Sequence, residues 1–291
     1  MRRLKNLMPE LAMLMPAIVL LTIFVVVPFF MSGYLSFTNE KLIARPIATI
    51  WVGWRNYERL FTDPVFWQAV KNTFYFALLV TPFQLAISLG SALLLNSKLP
   101  LRTLFRSIAL LPLLTPITVI VAIWAVLYKI PDGLFNHIYQ SLLSTSQYID
   151  WLGNVDMAIP AIVLLSAWAT FPFQMLIYLA GLQEIPKDLY EAAELDGAKP
   201  FKRFLHVTLP CLRNTNIFVI IVTTIGALKL FTQVNILTHG GPNGATNTII
   251  HYMYENGFVA QKIGYASAVS VAFFFTVTAI ALLQRILMKN E

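Results

Sequence analysis

The side chains in this sequence that could do chemistry are few and scattered. His137, His206, His239 and His251 lie far apart, at no spacing that would let them share a metal, and they read as structural. The lone Cys211 excludes an intrachain disulfide and any multi-cysteine site. No stretch matches G-x-x-x-x-G-K followed by Ser or Thr, so ATP hydrolysis by this chain is not expected. No Ser/His set, paired Asp or H-E-x-x-H pattern converges in an apolar stretch, which argues against an intramembrane enzyme. What remains is a thin series of polar groups in strongly apolar surroundings. Ser166 and Thr170 are four residues apart, with Trp168 and Gln174 nearby; Thr223 and Ala227 are again four apart, followed by Lys229. Ser and Thr in such places often bond their own helix backbone, and a Trp can simply pack. A lysine costs more to bury and is by default a functional candidate.

The elements that must position these groups follow from composition. Of 291 residues, 57% are hydrophobic and 12% charged, against about 25% charged in soluble domains. The class is therefore membrane. Apolar stretches long enough to cross a hydrocarbon core, about 20 helical residues, are expected near Leu11–Phe37, Trp67–Leu95, Arg106–Leu127, Met157–Leu182, Asn214–Asn235 and Gly264–Arg285. The expected fold class is all-α integral membrane, with six transmembrane helices. No span carries an Asp or Glu well inside it, so a stand-alone transporter coupled through a midplane carboxylate is disfavoured. The first span follows Arg2, Arg3 and Lys5 without a small-residue cleavage pattern and reads as a retained helix. Lys and Arg gather on the side of the termini, among them Lys98, Arg102, Arg106, Lys187, Lys199, Lys202, Arg203 and Lys289. The opposite side has fewer, with Lys41, Arg45, Arg55, Arg59 and Lys71 prominent. The positive-inside rule then puts both termini in the cytoplasm, and the net charge of +7 reads as topology rather than as a nucleic-acid signal.

The loop between the fourth and fifth spans has the most distinctive local chemistry. Pro186 suits the first position of a short helix, and Asp188 and Glu191 place acid near its positive end. Ala192 and Ala193 favour helix with little bulk, Gly197 suits the residue past the end, and Pro200 follows. About ten residues of helix do not persist alone in water, so this segment should dock on something. Leu189, Ala192, Ala193 and Asp196 share one face.

Glu191-Ala192-Ala193, Asp196-Gly197-Ala198 and the later Leu209-Pro210 resemble the cytoplasmic EAA loop of binding-protein-dependent ABC importer permeases. The rest resembles the sugar-permease branch related to the larger maltose-permease subunit. The residues carrying this are Val52-Gly53-Trp54-Arg55-Asn56-Tyr57, Asp63-Pro64-Val65-Phe66-Trp67, Leu94-Leu95-Asn96, Gly133-Leu134-Phe135-Asn136 and Leu237-Thr238-His239-Gly240-Gly241-Pro242. Trp54 and Cys211-Leu212-Arg213 depart from that branch's usual pattern, the latter at the start of span five.

The resemblance implies a type I ABC importer permease fold in the bacterial cytoplasmic (inner) membrane. It implies a first helix and outer loop over 1–66, a permease core over 67–286 containing the coupling loop 183–213, and a cytoplasmic tail over 287–291. Glu191, Ala192, Ala193, Asp196 and Gly197 would couple to the ATPase. Implied partners are a second homologous permease subunit, two ATP-binding subunits that carry ATP and Mg, an extracytoplasmic sugar-binding protein and membrane lipid, with no nucleic acid and no cofactor in this chain. On this basis Ser166, Trp168, Thr170, Gln174, Thr223, Ala227 and Lys229 are the expected substrate pathway. Lys229 could also pair with a carboxylate of the other permease subunit or reach outward. The expected cargo is a mono- or oligosaccharide, with a polyol or glycerol phosphate as runner-up.

Overall fold

The structure, a computed structural model, describes residues 13–43, 49–97 and 100–289. Leu11, Arg2, Arg3, Lys5, Arg45 and Lys98, which the span and topology expectations used, lie outside the described residues, as do the last two residues of the expected tail. Among the described residues, five helices are long and apolar enough to cross a membrane, or six if one bent pair is counted as a single span. By internal packing the described chain forms two units. One contains the residues up to Phe66 with Tyr252–Thr276; the other contains Trp67–His251 with the residues from Val277 onward.

In the first unit, α1 (Met13–Leu35) is apolar throughout and buries nothing in its most apolar window, as expected of a helix solvated by lipid or a partner. It ends at Ser36, whose hydroxyl donates to the Gly33 carbonyl at 2.6 Å. The following segment folds back through a Thr38–Trp51 bridge, with Phe37 stacked on Trp51. Asn56 in α2 (Arg55–Thr62) donates to the carbonyls of Ser36 and Thr38, both at 2.8 Å. Gly264 meets the Thr38 carbonyl so closely that a side chain there would collide with backbone, and its N–H donates to the Glu40 carbonyl at 3.0 Å.

Asp63 lies between α2 and α3 (Pro64–Asn96). Its carboxylate accepts from the Val65 N–H at 2.9 Å and from the Tyr252 hydroxyl at 2.7 Å, and Tyr252 and Tyr265 hydroxyls lie 2.8 Å apart. Burial pushes the Asp63 carboxyl up. Hydrogen bonds from Tyr252, Val65 and Phe66 and the charge of Arg59 outweigh this and hold it below the usual carboxylate range.

The second unit is built around α7 (Ala158–Glu184), whose most apolar window is 61% buried, about twice that of any other span. One side of α7 packs Met175, Tyr178, Leu179 and Leu182 against Ala92 and Leu95 of α3 and Val219 of α10 (Arg213–Leu228). Nearer its start, Ala161, Leu165 and Ala169 pack against Ile120, Val121 and Trp124 of α5 (Ile117–Leu127). Tyr128 donates to the Ala161 carbonyl at 2.7 Å across that contact. Ser88 of α3 lies 3.1 Å from the Phe171 carbonyl, beside Pro172, and so ties two proline-containing helices together.

The expected third span, Arg106–Leu127, is not one straight helix. It is α4 (Arg102–Leu114) and α5, bent by 100° at Thr115-Pro116. Proline has no N–H to continue the ladder and forces its predecessor out of the helical region; Thr115 is extended, at φ −97° and ψ 131°. The expected fifth span is interrupted too. Helix α10 stops at Leu228, and α11 (Thr232–Leu237) resumes after Phe231 leaves helical geometry. The carbonyl of Leu230 freed there accepts the Thr248 hydroxyl at 2.8 Å. Further helices are α6 (Leu134–Leu143), α8 (Lys187–Leu195), α9 (Pro200–Arg203), α12 (Ile249–Tyr254) and α13 (Ile263–Lys289).

Candidate functional site

The polar residues singled out in the spans converge on one cavity of about 450 Å³ inside the second unit. Ser166, Thr170 and Gln174 enter it from α7, Thr223 and Ala227 from α10, and Lys229 from the break that follows. Trp168 does not line it; its ring packs near Trp124, with centroids 5.7 Å apart. Three further polar residues line the cavity without having been singled out: Gln84 of α3, Thr115 at the α4–α5 bend and Gln233 of α11. Thr115 immediately precedes Pro116 and Gln84 follows Pro82 by two residues, so a polar residue close to a proline in an apolar run was the available signal.

The hydrogen-bonding state of this lining separates structural groups from available ones. Thr170 donates to the Ser166 carbonyl at 2.6 Å, one turn back on its own helix. Gln233 reaches the Ser166 hydroxyl at 3.4 Å. By contrast, the Gln174 side-chain oxygen and the Thr223 hydroxyl are buried with no hydrogen-bond partner, in residues only 5% and 3% exposed. An unmatched buried polar atom costs about 1–3 kcal/mol, and both of these belong to residues that line the cavity.

Lys229 is tolerated because it is not in mid-helix. It caps the C-terminal end of α10, where a cation meets the negative end of the helix dipole, and it is exposed. No carboxylate is among the lining residues, and Phe76 and Phe173 add aromatic faces. Hydroxyls, amides, aromatic faces and one cation can hold a polyhydroxylated molecule. Among the described residues, no group of three or more His, Cys, Asp or Glu is placed to hold a metal.

A second surface is formed by the loop after α7. Pro186, expected at the first helical position, occupies the cap position instead, and α8 runs from Lys187 to Leu195. Asp196 caps the other end and Gly197 follows at φ +74°, the left-handed conformation that glycine adopts without strain. Gly197 N–H donates to the Glu194 carbonyl and Ala198 N–H to the Ala193 carbonyl, both at 2.9 Å, which closes the helix with a Schellman motif.

No residue of α8 is buried, and Leu195 is 90% exposed. The helix is held at its sides by an Arg203–Glu194 ion pair of 2.9 Å and a Tyr190–Thr208 hydroxyl bond of 2.9 Å. Leu189, Ala192, Ala193 and Asp196 line a cleft of about 500 Å³ whose other wall is Ala198, Lys202, Arg203, His206 and Val207. Glu191 and Gly197 lie outside that lining, on exposed positions.

The profile of the family described as "Binding-protein-dependent transport system inner membrane component" matches residues 84–290, which include the cleft and all of the cavity lining except Phe76 and Val80. The chain belongs to that family. This permease is 36% identical over 91% of its length to the trehalose/maltose transport system permease protein MalF of Thermococcus litoralis, covering 88% of that protein. It is 32% identical over 92% of its length to the lactose transport system permease protein LacF of Rhizobium radiobacter, covering 90%. Its fold matches that in the crystal structure of a bacterial ABC transporter involved in the import of the acidic polysaccharide alginate. The TM-score is 0.85 over 99% of this chain and 98% of that one, at 22% identity. The architecture is thus the all-α type I permease fold, and the family is a membrane transport component.

Proposed function

We propose that this permease is one of two related membrane subunits of an ATP-driven importer that moves a mono- or oligosaccharide across the cytoplasmic membrane of a bacterium. Two ATP-binding subunits would carry the ATP and Mg, one of them docked at α8, and an extracytoplasmic binding protein would deliver the sugar. The observation that carries the cargo assignment is the cavity: two buried, unmatched polar atoms on Gln174 and Thr223, aromatic faces and no carboxylate. The names of the trehalose/maltose and lactose relatives support the same class.

The exposed, self-capped α8 supports the docking role of Glu191, Ala192, Ala193, Asp196 and Gly197, because a nine-residue helix with no buried side chain needs a partner surface. Rigid movement of α8 with the ATP-binding subunits would reach the cavity through α7 and α10. The helix breaks at Thr115-Pro116 and after Lys229, which both line the cavity, supply places to bend between access states. The gathering of Lys and Arg around the α8 side supports cytoplasmic termini.

The test is purification of the tagged chain in mild detergent, followed by reconstitution of what co-purifies and measurement of ATPase activity with binding protein and a sugar panel. A second permease and an ATPase stimulated by one sugar are the expected result. A chain that moves solute alone down an ion gradient overturns the assignment.

A further inference from the structure

The segment that follows α1 buries its polar groups and exposes its rings. Ser36 and Thr38 are buried, and the Asn56 amide donates to both their carbonyls. The Val52 N–H donates to the Phe37 carbonyl at 2.8 Å, the Asn39 N–H to the Ile50 carbonyl at 3.1 Å, and the Ile50 N–H to the Asn39 side-chain oxygen at 2.8 Å. Pairing backbone groups within the segment lowers the cost of resting at the edge of a bilayer, where water to bond them is scarce.

On this base Phe37 stacks on Trp51, with centroids 5.3 Å apart, and meets Trp54 edge-on at 5.1 Å. Tyr34, Trp51 and Trp54 are 62%, 59% and 65% exposed, and Leu42, Ile43 and Ile50 are exposed as well. Three such rings, of about 200 Å² each, leave on the order of 350 Å² of aromatic surface uncovered. Before the aliphatic residues are counted, that matches the largest apolar patch of a typical soluble monomer.

Depth decides what this surface meets. Helix α1 has 23 residues and is therefore about 34 Å long, against about 30 Å of hydrocarbon core. Trp51 packs on Tyr34 in the last turn of α1, with centroids 5.8 Å apart, so the cluster lies level with the end of the span. That is the headgroup layer, where rings with an apolar body and one polar atom are favoured. The charges of the segment nearly cancel, with Lys41, Arg45, Arg55 and Arg59 against Glu40, Glu58 and Asp63. Arg59 is engaged internally, its guanidinium 4.3 Å from the centre of the Tyr265 ring. An anionic-lipid site would instead carry a cluster of unmatched cations.

We propose that Tyr34, Phe37, Trp51 and Trp54 form an anchor in the headgroup layer of the leaflet where α1 ends, that its ligand is zwitterionic phospholipid, and that it fixes the level of α1 in the membrane. None of these residues lines the cavity or belongs to α8.

The experiment uses the full-length permease, with whatever subunits co-purify, in phosphatidylcholine liposomes. Tryptophan emission is compared between the wild type and a Trp51→Phe, Trp54→Phe double variant, which keeps the ring packing; the difference isolates these two side chains. Phosphatidylcholine brominated near the headgroup is expected to quench the difference emission more than lipid brominated near the chain end. Replacing part of the lipid with phosphatidylglycerol should leave that quenching unchanged.

Quenching by aqueous acrylamide but not by brominated lipid places the rings in water, as a surface for a soluble protein, and overturns the proposal. Quenching by neither shows that another subunit covers them, and strongest quenching from the chain end puts them in the hydrocarbon core; each overturns it too. Quenching that grows with phosphatidylglycerol refutes the zwitterionic ligand.

Discussion

Replacement of Gly197 tests the coupling surface most directly, because its effect can be worked from the backbone. Gly197 sits at φ +74°, and a Cβ built there meets nothing within 4 Å. The cost of a side chain is therefore conformational, not steric. An L-residue in the left-handed region costs about 1–2 kcal/mol, while Asn tolerates it better.

The structure holding α8 in place has little in reserve. No side chain of α8 is buried, and the Glu194–Arg203 pair is solvent-exposed on the Glu194 side, where such a pair contributes about 0–1 kcal/mol. The Tyr190–Thr208 hydroxyl bond adds about 1 kcal/mol. Strain of the same size thus passes into the population of the docking-competent form, and 1–2 kcal/mol corresponds to a roughly five- to thirty-fold loss of apparent affinity for the ATP-binding subunit. Gly197→Ala should show this loss and Gly197→Asn much less of it. Gly197→Asp should be the weakest, because it adds a negative charge at the negative end of the helix, beside Asp196.

The assay is titration of the ATP-binding subunit onto the permease in nanodiscs, paired with uptake and ATPase coupling in proteoliposomes and a check that each variant inserts. Wild-type affinity, uptake and coupling in Gly197→Asp refutes the coupling role of this segment.

Thr223→Val removes a buried hydroxyl that has no partner, so thermal stability in detergent should be unchanged or slightly higher while the sugar concentration needed for half-maximal uptake rises; a fall in stability with unaltered uptake contradicts a role in the pathway. Gly264→Ala drives a side chain into the Thr38 carbonyl and should lower the melting temperature by the equivalent of about 1–3 kcal/mol, read by detergent thermal shift. Asp63 is held below the usual carboxylate range in the folded chain, so its stabilisation is present at neutral pH and is lost as pH falls through the folded value. Asp63→Asn should accordingly be less stable than the wild type at pH 7, with the two converging in acid; a gap that widens on acidification contradicts the pairing with Tyr252.

The membrane-crossing stretches were legible because hydropathy is a property of a run of neighbours in the chain. All six expected stretches overlap apolar helical segments, with ends displaced by a few residues where Pro64 or Arg102 starts a helix earlier than the apolar run. The ends of α8 were legible for a similar reason. Its C-terminal signal, Gly197 followed by Pro200, acts through local backbone geometry. The proline at Pro116 was visible, but whether it would kink a span or break it by 100° depends on what fills the space around it, and neighbouring helices decide that.

The sequence by itself determined that this is a polytopic helical membrane protein with a short capped helix between its fourth and fifth spans, since these features arise from local propensity and transfer free energy. Only the tertiary structure decided which polar residues share a cavity. Gln84 and Gln233, more than 140 positions apart, join Ser166, Gln174 and Thr223, while Trp168 packs near Trp124 instead. The same holds for Asp63 bonded to Tyr252, 189 positions away. Which face a helix turns toward its neighbours is set by packing among elements distant in the chain, and neither hydropathy nor spacing along one helix contains that rotation.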